Sequence, residues 1–341
     1  MKRTKRFIRI TAAGAALAFT FSMGISAQAK TAEDLTKVAE ISESEFDALK
    51  PEGEVTLEQK HQVIGEILIE AGVPEFMVEK LNDDMFESLY DSPGFEVQTK
   101  YFREKVDGDL EQISYGQHKR IAEYNRLNRE KNKMMPYSPI ALRAQEKIES
   151  DEVFDEIPNL AHVLIVGMPQ SNQRRFCAAL AGWEYAPITR ADDFIGIHSD
   201  KAQVINHTAV ASISYVKNLH VVGTVLDGFG EEVQYEDDKF IDNTSGVGKE
   251  FQLPGDYYDP NTNLGSKGSY RIEELALGLT VDVIPVDPTT VQNFSVLSTY
   301  YHEALEIGGN VEISSSGIGF TASPSLVFRR SDVSVFIQHE P

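Results

Sequence analysis

The sequence predicts an α+β protein: an N-terminal all-helical unit followed by an antiparallel β-sandwich-like domain. Three observations carry that expectation. Between residues 42 and 90, capping signals precede apolar residues at helical spacing. Leu275, Leu277, Leu279, Val281 and Val283 alternate with Ala276, Gly278, Thr280 and Asp282, the period-two pattern of a strand. The other apolar runs after Trp183 are short and separated by Gly, Pro, Asn and Asp clusters rather than by helices, which favours antiparallel pairing.

The chain opens with a basic cluster, Lys2, Arg3, Lys5, Arg6 and Arg9, and continues into an apolar run from Ile10 to Ile25. Ala27-Gln28-Ala29 then forms a small-x-small cleavage pattern, placing the cut between Ala29 and Lys30. The run of 16 residues falls short of the roughly 20 needed to span a bilayer. Residues 1–29 therefore read as a secretory signal peptide. No paired arginines or lipid-anchor cysteine accompany the run, and no second long apolar stretch follows it. The expected product is secreted and has no stable membrane span in its mature form.

Residues 30–150 read as the helical domain. Ser42 and Glu45 make a capping box ahead of Phe46 and Leu49. Thr56 and Gln59 make another, opening a helix whose apolar stripe is Leu57, His61, Ile64, Leu68 and Ala71, with Gly72 as its stop. Pro74 suits the first turn of a short helix through Phe76, Met77 and Leu81, and Asn82 or Asp83 caps the next, through Met85, Phe86 and Leu89. Residues 96–133 are expected to continue as helix, broken near Asp107-Gly108-Asp109. Their last part is locally basic, with Lys119, Arg120, Arg126, Arg129, Lys131 and Lys133, and reads as a solvated face, as a clamp on the acidic second half or as a contact for anionic wall polymer. A further helix through Ile140 and Ile148 leads to the acidic stretch Glu149–Glu156, the expected linker.

Residues 157–341 read as the antiparallel β domain. Leu160–Val166 is an apolar run that periodicity alone leaves open between buried strand and helix. A helix is expected from Ser171 to Ala181, ending at Gly182; Cys177 then lies in an apolar helical setting as a small buried residue. Strands are expected at 210–215, 219–226, 294–300, 311–315, 318–322 and 333–337.

Charge narrows the partners. The leader carries five of the 32 basic residues and none of the 53 acidic ones, so the remainder sets 27 basic against 53 acidic. Such an acidic chain is not expected to bind nucleic acid or anionic lipid, which require positive charge. Cys177 is the single cysteine, which excludes an intramolecular disulfide and a thiolate metal cluster.

Catalytic motifs are weak. His302-Glu303 resembles the start of a zinc-protease helix, but Glu306 occupies the position where the second histidine is required. His198 and His207, near Asp192, Asp193 and Asp200, offer a His/Asp metal set or ordinary surface histidines. Asp259, Asn261 and Asn263 place oxygen ligands at alternate positions, as calcium loops do, but Leu264 stands where an EF-hand has glycine and Tyr270 where it has glutamate. Calcium is thus the candidate cofactor, held irregularly, with a polar turn as the ordinary alternative. The adjacent Tyr257 and Tyr258 lie in a Gly/Pro/Asp/Asn loop and are the candidate ligand-binding aromatics. No nucleophile elbow or phosphate-binding glycine fingerprint occurs.

The leading functional expectation is a non-enzymatic binding or interaction module acting outside the cell or at the envelope on an extracellular or envelope ligand. The alternative is a secreted hydrolase whose helical half is a propeptide or accessory domain. A third reading, a β-hairpin pore former, rests on the Ser/Gly-rich amphipathic pattern Val311–Phe320. A hydrolase needs an open pocket with converging histidine and carboxylates, whereas a binding module needs a filled core and an exposed recognition surface.

Overall fold

A computed structural model describes residues 35–51, 53–105, 109–134, 157–169, 173–185, 187, 192–221, 224–235, 240–259, 268–287, 293–304, 310–314, 317–321 and 329–338. The first half holds β1 (Thr36–Ile41), α1 (Glu43–Leu49), α2 (Leu57–Glu70), α3 (Glu75–Val78), α4 (Asp83–Tyr90), β2 (Phe95–Glu104), β3 (Leu110–Ile113) and α5 (Tyr115–Met134). The second half is strand: β4 (Asn159–Gly167), β5 (Arg175–Tyr185), β6 (Asp192–Ser199), β7 (Ala202–Val221), β8 (Thr224–Tyr235), β9 (Ile241–Asn243), β10 (Gly246–Gln252), β11 (Tyr257–Asp259), β12 (Gly268–Pro285), β13 (Asn293–Ala304), β14 (Asn310–Ser314), β15 (Gly317–Thr321) and β16 (Arg329–Gln338).

The local helix signals act where they stand. Ser42 N–H donates to the Glu45 carboxylate at 3.1 Å, and Thr56 Oγ1 accepts from Gln59 N–H at 3.3 Å, so both capping boxes form. Asn82 caps α4 by accepting from Met85 N–H at 2.8 Å. Gly72, at φ +96°, ends α2 in the left-handed region that glycine enters without steric cost.

The expected all-helical N-terminal unit is not what forms. β1, β2 and β3 belong to a nine-stranded antiparallel sheet of order β1-β2-β4-β5-β12-β7-β8, with β3 also paired to β2 and β11 to β12. The helix expected over 96–133 exists only as α5; its first part is β2 and β3. Phe95, Val97, Thr99 and Tyr101 alternate with Glu96, Gln98 and Lys100, a period of two, and all four of the first set are buried. The helix expected over 171–181 is likewise a strand, β5. Cys177, Ala179, Ala181 and Trp183 face one core while Ala178 and Leu180 face another. A strand buried on both faces loses its alternation and reads as a continuous apolar run.

Two cores result. On one face of the nine-stranded sheet, Phe95, Val97, Tyr101, Val163, Ile165 and Leu180 pack against Phe46, Ile64, Leu68, Met77, Phe86 and Leu89 of α1–α4. The approach is close at Gly182, where an added Cβ would fall 2.5 Å from Met77 Cγ. The other face meets a five-stranded antiparallel sheet of order β16-β13-β6-β10-β9. Leu164, Cys177, Trp183, Leu277 and Leu279 pack there against Ile195, Ile197, Val247, Phe294, Val296 and Tyr300. β14 and β15 form a separate two-stranded hairpin. The architecture is thus three layers: helices, the large sheet and the smaller sheet.

Candidate functional site

Among the described residues, the densest gathering of proton-bearing side chains lies between the two sheets. β6 directs Asp193, Ile195 and Ile197 inward by the alternation of a strand, and β13 does the same with Phe294, Val296, Ser298, Tyr300 and His302. Opposite them stand Glu104 on β2, His162 on β4 and Trp183 on β5. His302 Nδ1 lies 3.0 and 3.2 Å from the two Asp193 carboxylate oxygens. Tyr300 donates its hydroxyl to the same carboxylate and accepts from Trp183 Nε1–H at 2.9 Å. The other imidazole nitrogen, Nε2, is 3.8 Å from Glu104 Oε1, at ion-pair rather than hydrogen-bond distance. Nearby, His162 Nε2 and Ser298 Oγ lie 2.7 Å apart, a second polar contact between the sheets.

The electrostatics follow from this placement. Burial by itself disfavours a charged imidazole, but the Asp193 carboxylate, with Glu104 behind it, outweighs that cost and lifts His302 to about 9. His302 is therefore an imidazolium at neutral pH, held between two acids. Burial and the Asp193 charge push the Tyr300 phenol well above its ordinary range, so it remains a neutral donor. Asp193 thus accepts from a cation and from a phenol that Trp183 orients in turn.

An acid, a histidine and a hydroxyl group are the parts of a proton relay, but here all of them are buried. His302, Trp183, Tyr300, Asp193 and Ser298 are 0% exposed, and Glu104 is 4% exposed. The described surface cleft lined by Met77, Lys80, Leu81, Met85, Ser212, Ser214 and Gly278 lies on the opposite, helix-covered face of the large sheet. What the geometry can do is lock the two sheets in one register. Each charge depends on a partner carried by another strand, and His302 ties β13 to both β6 and β2.

The structure disperses the three histidines singled out from the sequence. His302 belongs to this sealed cluster. His198 is also buried on β6, but five residues after Asp193 it takes the opposite strand face. His207 is exposed on β7. Tyr257, Tyr258 and Asp259 form β11, pairing with Tyr270, Ser269 and Gly268 of β12. Asn261 and Asn263 of the expected calcium loop, and Ala29 and Lys30 of the expected cleavage point, lie outside the described residues. Among the described residues no three His, Cys, Asp or Glu side chains are arranged to hold a metal ion. Cys177 is buried on β5, and burial, reinforced by the Asp282 charge, raises its thiol far above the range of a reactive thiolate.

Sequence reasoning missed Asp193, Glu104 and Tyr300 as partners of His302. Asp193 lies 109 residues from His302 along the chain and Glu104 lies further still, which leaves no local signature for either, whereas Tyr300 stands two positions before His302 on the same strand face. The usable signal was a histidine in a strand that alternates with large apolar residues, at Phe294, Val296 and Tyr300.

Comparison with known proteins adds no family. No protein-family model matches the chain, and no curated protein matches it significantly.

Proposed function

We propose that this chain is exported and works outside the cytoplasm as a non-enzymatic binding module. The observation that carries the reading is the sealed state of the His302–Asp193–Glu104 cluster. A hydrolase spends such a constellation on a substrate, and so needs it at the wall of a pocket. Here the same residue types are buried between two sheets. The basic, apolar, small-x-small order of residues 1–29 supports export.

Two measurements test this. N-terminal sequencing of material recovered outside producing cells is expected to begin at Lys30; recovery of the chain only inside the cells overturns export. The purified protein is expected to turn over none of a panel of ester, peptide and glycoside substrates. Turnover that disappears in Asp193→Asn while the thermal transition persists establishes the hydrolase instead.

A further inference from the structure

The two sheets differ in width, and the difference leaves a shelf. β16 is the edge strand of the five-stranded sheet and pairs only with β13 among the described residues. It packs across β2, β3 and β4. β1 lies one strand further out, at the edge of the large sheet. Ala39 and Ile41 of β1 turn toward the helices. Thr36, Val38 and Glu40 therefore take the other face, the one the smaller sheet covers elsewhere. Val38 on that face is 61% exposed and Glu40 is also exposed. Among the described residues, no strand lies over β1 beside β16.

The shelf has a definite chemistry. Val38 pairs across the ladder with Gln98, and Glu40 with Glu96. Like charges directly opposite each other on neighbouring strands repel. Glu96 is half-buried, and burial together with the Glu40 charge lifts its carboxyl to about 7, against the opposing pull of Arg175. An isolated protein gains nothing from this pair. A cation brought over the row would be attracted by both acids, and an apolar group two residues along the same incoming strand would cover Val38.

We propose that the edge of β16 that pairs with no strand among the described residues and the shelf of β1 form a strand-docking site for an extended segment of a partner protein, whose shelf-facing positions carry an apolar residue and then a cation. Main-chain hydrogen bonds to β16 supply attachment, and Val38, Glu40 and Glu96 supply selection. The proposal rests on the binding reading above and names the class of partner. Its cationic preference also agrees with an acidic chain.

The test uses the full chain and two fluorescent peptides, one repeating Val-Thr-Lys-Thr and one repeating Val-Thr-Glu-Thr, followed by anisotropy. The lysine peptide is expected to bind, with the glutamate peptide at least about tenfold weaker. Val38→Lys and Glu40→Lys are each expected to weaken the lysine peptide by about fivefold or more. Glu40→Lys relieves the repulsion with Glu96, so its melting temperature is expected to hold or rise, which separates lost binding from lost folding. Equal binding of the two peptides, absence of lysine-peptide binding, or unchanged affinity in both variants overturns the proposal. So does concentration-dependent self-association abolished by Val38→Lys, which makes the shelf an interface between copies. None of these outcomes touches the binding reading itself, which falls on substrate turnover.

Discussion

The two faces of the large sheet are built on different terms. The helix-covered face is closed by apolar groups at short range, with Met77 pressed onto Gly182 and Phe46 set edge-on to Tyr90 and Phe95. The face toward the smaller sheet is also mostly apolar, but it holds an imidazolium between two acids and a Trp183–Tyr300–Asp193 hydrogen-bond chain. Apolar contacts tolerate small slips, because dispersion and burial are non-directional. Buried charges do not, because a displaced partner leaves an uncompensated ion. The contrast indicates that the helices are attached by shape, whereas the sheets are registered by charge.

The largest effect that would break this contrast is expected at Asp193. Asp193→Ala leaves a buried histidine and the Tyr300 hydroxyl without their acceptor, and is expected to cost about 3–5 kcal/mol of unfolding free energy, read by urea denaturation. A loss below about 1 kcal/mol would place the cluster among ordinary polar contacts.

The next effect is a pH dependence. The folded-state pKa of His302, about 9, lies above its ordinary value of 6.5. Its contribution to stability is therefore fully present below pH 6.5 and is lost as the pH rises through 9. The loss is on the order of 3 kcal/mol. Unfolding curves between pH 6 and 10 are expected to show it in the wild type and not in His302→Gln. A parallel decline in both proteins would assign the effect to other groups.

The smallest effect probes the helical face. Gly182→Ala places a methyl group against Met77, and is expected to cost about 1–3 kcal/mol without altering the alkaline decline. Met77 is a flexible side chain, so pairing this change with Met77→Ala is expected to recover part of the loss. Absence of any recovery would mean that the sheet backbone, not Met77, resists the added methyl.

The parts of the fold legible in the sequence were those fixed by near neighbours. Ser42 with Glu45, Thr56 with Gln59, and Asn82 before Met85 are contacts across three residues, and each helix begins where those residues place it. The alternation Leu275–Val283 likewise lies within one strand, β12. β2 and β5 were harder. β2 alternates, but it stands directly after a run of helices; β5 is buried on both faces and carries no period at all. Their state was set by where a second layer lies, which no local window contains.

By itself, then, the sequence determined the starts of α1, α2 and α4, one interior strand of the large sheet, the acidic balance and the lack of an intramolecular disulfide, because each depends on residues a few positions apart or on composition. Only the tertiary structure decided that β1, β2 and β3 join strands from beyond residue 157 in one sheet. It alone decided that Asp193, Glu104, Tyr300 and His302 share one sealed site, and that β1 extends past β16. Those outcomes depend on pairings between distant strands, whose free energy comes from burial and charge compensation that exist only once the layers have closed.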